Sequence, residues 1–124
     1  MSIHRDILLV EDEAAIADLL RRVLVRADYT VRIATDGQQA LEALDAARPA
    51  VLILDLILPG VSGFTVLEHM HQRQIRVPII VITANPLHYD SLDYADIVQV
   101  LIKPFPIEAL LGALHAIAGY QRSV

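Results

Sequence analysis

The stretch Pro49–Gly60, "PAVLILDLILPG", is the most apolar in the chain, and a single charge, Asp55, interrupts it. The run "AVLILD" is of strand length, and the turn residues of "LPGVSG" follow it. A strand with one wet face would alternate polar and apolar residues, and an amphipathic helix would show polar residues at helical spacing. This run does neither, so it reads as a strand buried on both faces, near the centre of a parallel sheet. It is also far shorter than the roughly 18 apolar residues that suggest a membrane span.

Working outward, the chain alternates short strands with helical patterns. "DILLV" (Asp6–Val10) is a second nearly continuous apolar run. A helix follows it, with Ile16, Leu19, Leu20, Val23 and Leu24 as its apolar stripe and Arg21, Arg22 and Arg26 as a solvated face. "YTVRIA" alternates, which suits a strand near an edge. Asp36 reads as an N-cap, with Gln39 three residues on and Leu41 and Leu44 facing in. Beyond "LPGVSG" a helix starts at about Phe64 and turns Val66, Leu67 and Met70 inward. "VPIIVIT" is the fourth strand and "IVQVLIK" the fifth. Between them, "ANPLHYDSLDYAD" opens on an Asn-Pro turn and supports only a short helix. Pro106 suits a first helical position and opens a last helix with Ile107, Leu110, Leu111, Leu114 and Ile117. Five β-α units with short connections imply right-handed crossovers and an α/β fold, with helices on both faces of a parallel sheet.

Composition excludes several classes. With 124 residues the chain is of single-domain size, and at 55% hydrophobic it buries a core without disulfides. There are no cysteines, hence no thiolate metal or redox site, which is compatible with a cytoplasmic setting. The net charge of −5 argues against direct nucleic-acid binding. The amino-terminal residues have no signal-peptide pattern.

The strands are apolar, but their C-terminal ends are not. Glu11, Asp12 and Glu13 follow the first, Asp55 ends the third, Thr83 the fourth and Lys103 the fifth. In an open parallel sheet these ends share one edge, where ligands bind. Each residue alone has a plain structural reading: a cap, a solvated acid, a β-former, a snorkelling lysine. Together they suggest one site. Clustered carboxylates repel one another, and Mg2+ relieves that repulsion with oxygen ligands. A carboxylate can also be a phosphoryl acceptor, with a lysine and a hydroxyl placed to meet the phosphoryl oxygens. Asp55 is the best placed acceptor.

The pieces "LLVEDE", "LILDLILPGVSG", "IIVITA" and "LIKPF" together resemble a response regulator receiver domain, over residues 1–124. The resemblance implies a flavodoxin-like (CheY-like) doubly wound sheet of order 2-1-3-4-5. It implies that Asp55 accepts a phosphoryl group from a histidine kinase or phosphotransfer protein, with Thr83 and Lys103 on the phosphoryl oxygens. Asp12, Asp55 and the backbone carbonyl of Ile57 would ligate Mg2+, with Glu11 acting mainly through water. The bond before Pro104 is typically cis in this family, aiming Lys103 inward. In this family the first helix also helps dock the kinase, so the resemblance implies a kinase-facing role for it.

Several residues depart from the family pattern. Val100 stands three before Lys103, where an aromatic residue usually moves inward on activation. The interval from Thr83 to Lys103 is short and lacks glycine. The fourth helix is therefore expected to be short or irregular. Ile57 cannot orient a hydrolytic water, which predicts slow self-dephosphorylation. The last helix is apolar nearly all round before Tyr120, with Glu108 and His115 its distinctly polar residues. That suggests a homodimer surface with the fifth strand, although exposed alanines would look the same. The histidines suggest no metal site: His69 and His71, two apart, face different sides, and His4, His88 and His115 lack partners at ligand spacing.

Two other functions compete. A Mg2+-dependent aspartyl-phosphate phosphohydrolase commonly carries a second acid at the position of Ile57 and an insertion that holds substrate; neither is present. A receiver-like scaffold that takes no phosphate is expected to lose some of Asp12, Asp55 and Lys103, and all three are present.

Overall fold

The computed structural model describes residues 5–123, without the side chains of 89–91 and 119–123. His4 and the side chain of Tyr120 lie outside the described residues. The elements are β1 (Asp6–Val10), α1 (Ala14–Arg26), β2 (Thr30–Ala34), α2 (Gly37–Ala46), β3 (Val51–Asp55), α3 (Gly63–Gln72), β4 (Ile79–Thr83), a 3-10 segment (Pro86–Ser91), β5 (Ile97–Ile102) and α4 (Ile107–Ser123). The five strands are parallel, in the order β2-β1-β3-β4-β5.

Strand periodicity divides the core in two. Leu8, Val10, Leu52, Leu54, Ile79 and Val81 point to one face, where α2 and α3 cover them with Ala40, Leu44, Val66, Leu67 and Met70. Ile7, Leu9, Ile53, Ile80 and Ile82 point to the other, under Leu20 and Leu24 of α1 and Leu110, Leu114 and Ile117 of α4. Every residue of β3 and β4 is buried, as a strand covered on both sides requires. Burying a large aliphatic side chain contributes about 1.5–3 kcal/mol, so these runs commit the chain to the sheet. β2 is an edge strand with a mixed burial pattern.

The helix starts follow the expected chemistry. The Asp36 carboxylate accepts from the Gln39 amide at 2.8 Å, and the Gln39 side chain returns to accept from the Thr35 amide at 2.9 Å. Ser62 caps α3 through the Thr65 amide. The stripe on α1 needs one correction: Ala17, Leu20 and Leu24 face the sheet, while Leu19 is 55% exposed. Leu19 sits about 100° around the helix from Leu20, off the inner face.

The fourth α-helix is replaced by the short 3-10 segment. Asn85 closes its start twice, accepting from the Leu87 amide on its side chain and from the His88 amide on its carbonyl. Leu92 and Tyr94 then pack against the core from a non-helical strand lead-in. β5 has a register irregularity: Ile79 pairs with Ile97 and Ile80 with Gln99, so Val98 is the extra residue and is 50% exposed. Over 107–118, the part of α4 whose side chains are described, the exposed positions are Glu108, Gly112, His115 and Ala116, which are small or polar.

Gly63 links the fold to the strand-end edge. A Cβ there would lie 2.6 Å from both the Asp55 carbonyl oxygen and the Leu56 Cα. Both are backbone atoms that cannot swing aside. Gly63→Ala is expected to destabilise by about 2 kcal/mol or more, through overpacking. Urea unfolding checks this; a midpoint equal to wild type would contradict the close approach.

Candidate functional site

The register places the polar strand ends side by side. Asp55 pairs with Ile82, one residue before Thr83, and the Lys103 amide donates to the Thr83 carbonyl at 2.8 Å. The Glu11 amide donates to the Ala34 carbonyl, fixing the loop after β1 over the same edge. The Lys103–Pro104 bond is cis.

Lys103 joins two buried acids. Its Nζ donates to Asp55 Oδ2 at 2.7 Å and to Glu11 Oε1 at 3.1 Å. Glu11 is 1% exposed and Asp55 3%, whereas Asp12 is exposed. The remaining oxygens also have partners: Glu11 Oε2 accepts from the Glu13 amide and Asp55 Oδ1 from the Ile57 amide. Burial pushes the Glu11 carboxyl above its ordinary range, with the Asp55 charge adding to the rise; the Glu13 amide and Lys103 only partly oppose it. Burial pulls the Lys103 ammonium down, but its hydrogen bonds to Asp55 and Glu11, and their charges, outweigh that and raise it. The lysine is therefore held charged.

The donor set fits a hard divalent cation. Glu11, Asp12 and Asp55 each offer a carboxylate oxygen, all within 4.8 Å of one another. Lys103 pairs with two of these three acids, so negative charge remains in excess, and Asp12 faces solvent where an ion would enter. Oxygen donors of this kind suit Mg2+.

Thr83 and Ile57 are placed differently. The Thr83 side chain is fully buried, and its hydroxyl meets His88 Nδ1 at 2.9 Å and the Asn85 amide at 3.2 Å rather than an acid. Ile57 contributes its amide to Asp55, and its side chain is 58% exposed. His88, which has no partner at metal-ligand spacing in the sequence, is brought to Thr83 by the fold. Its ring also stands edge-on to Phe64 of α3, centroids 5.1 Å apart. Five residues from Thr83 in an irregular segment, it carries no periodic signal that would have revealed this contact. His69 pairs with Asp45 and His71 stands edge-on to Tyr94, so the two do face different neighbours.

This fold and this edge of acids, lysine and hydroxyl define a receiver-type module, and comparison with known proteins agrees. A family model of the response regulator receiver domain matches residues 7–115. The chain belongs to that family. Among curated proteins it is 40% identical over 119 residues to the response regulator ArlR of Staphylococcus aureus, covering 93% of this chain and 53% of ArlR. The chain thus spans about half the length of the curated relatives it matches. Among solved structures it resembles the response regulator TrrA of Thermotoga maritima in complex with Mg2+-BeF, at TM-score 0.83 and 26% identity, covering 91% of this chain and 98% of that one. It also resembles the chemotaxis protein CheY4 of Vibrio cholerae, at TM-score 0.80 and 30% identity, covering 90% and 97%. Among the described residues no helix is long and apolar enough to cross a membrane.

Proposed function

We propose that residues 1–124 form a receiver domain that accepts a phosphoryl group on Asp55 from a histidine kinase or phosphotransfer protein, in the cytoplasm, and signals by a change of conformation. The observation that carries this is the pairing of a buried Asp55 with Lys103 at 2.7 Å, beside the Glu11–Asp12 cluster.

The chemistry assigned to each residue follows from that arrangement. An Asp55 carboxylate oxygen forms the new bond to phosphorus, and the donor's bond to phosphorus breaks, its electron pair leaving with the donor. Lys103 stays charged and compensates the added negative charge. Mg2+, when bound by Asp12, Asp55 and the Ile57 carbonyl, would neutralise phosphoryl oxygens as the transfer proceeds. Glu11, whose oxygens are held by Lys103 and the Glu13 amide, would act mainly through water. The complex of TrrA with Mg2+-BeF is consistent with this assignment. Beyond assisting its own phosphorylation and dephosphorylation, the domain is not assigned an enzymatic activity.

α1 carries the exposed Leu19 next to the Asp18–Arg22 pair, a surface suited to docking the kinase. Along β5 and α4 a groove of about 570 Å³ includes the exposed Val98 with Ala113 and Ala116. That favours a second copy of the chain docking there, although the small outer residues of α4 make it a modest surface.

The direct test is intact mass after incubation with acetyl phosphate and Mg2+. One stable added phosphoryl group per chain is expected. Continuous turnover of phosphate esters with no added mass would instead support a phosphohydrolase.

Two further outcomes follow from the departures at Val100 and Ile57. Val100 is aliphatic and partly buried against the core, with no ring to turn. The response to phosphorylation should therefore travel through the Thr83 loop. Nuclear magnetic resonance signals of residues 84–100 should shift when beryllofluoride binds; unchanged signals there would contradict this route. Ile57 presents an exposed apolar side chain where an attacking water approaches. The phosphorylated form should persist for minutes or longer in a phosphate-release assay, and a lifetime of seconds would oppose it.

A further inference from the structure

We propose that His88 is a positioning residue for Thr83: its Nδ1 accepts the hydrogen bond of the Thr83 hydroxyl in the resting protein and holds back the donor that a phosphoryl group on Asp55 would recruit. This rests on the reading of Asp55 as the phosphoacceptor.

A hydroxyl has one proton to give and lone pairs to receive. The Asn85 amide already donates to Thr83 Oγ1 at 3.2 Å. In the Nε2-protonated ring, Nδ1 is an acceptor, and the 2.9 Å contact then consumes the single hydroxyl proton of Thr83. That proton cannot reach a phosphoryl oxygen until the bond to His88 breaks. The Lys103 amide holds the Thr83 carbonyl at 2.8 Å, so the exchange of one acceptor for another is assigned to rotation of the Thr83 side chain.

The neighbours of His88 connect this exchange to the rest of the domain. Phe64, at the start of α3, stands edge-on to the ring with planes at 89°. The His88 amide donates to the Asn85 carbonyl, so the ring sits in the first turn of the 3-10 segment. Loss of the Thr83 bond removes a tie between β4 and that segment. With Val100 in place of a mobile ring, this exchange of partners is the means by which the state of Asp55 reaches residues 84–100.

The experiment is titration of the full chain with beryllofluoride in saturating Mg2+, for wild type, His88→Phe and His88→Asn, alongside 15N measurement of the His88 ring. Phenylalanine keeps a ring against Phe64 and removes the acceptor; asparagine restores an acceptor near the Nδ1 position. His88→Phe should bind beryllofluoride about fivefold more tightly, the scale of one hydrogen bond, and His88→Asn should return toward wild type. The ring of free wild type should show Nδ1 unprotonated, a measurement that needs no substitution. Wild-type binding with an unaltered affinity in His88→Phe, or a protonated Nδ1 in the free protein, would overturn the proposal while leaving the receiver reading intact. No binding of beryllofluoride by wild type would overturn both.

Discussion

Asp55→Ala should gain no phosphoryl mass from acetyl phosphate and Mg2+ under conditions that modify wild type fully. The loss should be complete rather than partial. Asp55 is the acid that combines burial at the end of the central strand with a 2.7 Å contact to Lys103. Glu11 lies in the loop after β1 and meets the lysine at the longer 3.1 Å, and Asp12 has no described contact with it. The variant should still fold, because Lys103 keeps Glu11 as its partner and the apolar residues of β3 are untouched. Circular dichroism of the same sample verifies this. Phosphoryl uptake by the folded variant would mean that another side chain is the acceptor.

Lys103→Ala carries the second large effect, on rate and on stability. Removing the charge that faces the developing phosphoryl oxygens should slow uptake about a hundredfold, in the range found for removal of one preorganised electrostatic donor. The same substitution strips a buried Glu11 and Asp55 of their shared cation. A fully enclosed pair broken in this way costs about 3–5 kcal/mol, and solvent at the lysine, 22% exposed, reduces the expectation to about 2 kcal/mol. Mg2+ should recover part of that stability, since a divalent ion can replace the missing charge among the three acids. Urea midpoints with and without Mg2+ read the second effect, and single-turnover phosphorylation reads the first. A variant as stable as wild type without Mg2+, or one phosphorylated at the wild-type rate, would remove Lys103 from the site.

Much of this was legible in the sequence because the informative residues are extreme in type. Continuous apolar runs at Asp6–Val10, Val51–Asp55 and Ile79–Thr83 left one consistent architecture, and the polar residues at their ends pointed to one edge. Asp36 and Gln39 marked the start of α2 because the capping contact is local in sequence. Leu19 was misplaced because a stripe of five candidates is wider than the face that meets the sheet. The contact of His88 with Thr83 was missed for a different reason. Thr83 is fixed by β4, but the position of His88 depends on how Asn85 and Pro86 turn the chain. Such turns follow from side-chain contacts that periodicity does not encode. The same turn explains why the interval after Thr83 forms a 3-10 segment rather than a helix. Asn85 captures the first free amides, and the apolar residues that follow, Leu92 and Tyr94, reach the core without a helical stripe.

The position of the phosphoryl group itself tests the account most directly. Wild type phosphorylated by acetyl phosphate in Mg2+ can be reduced with borohydride, which converts an acyl phosphate to an alcohol and marks the residue permanently. Peptide mapping by mass spectrometry should then find homoserine at position 55 and nowhere else. A mark at Glu11, Asp12 or any other acid, or an unmarked chain, would contradict the assignment of Asp55 as the phosphoacceptor.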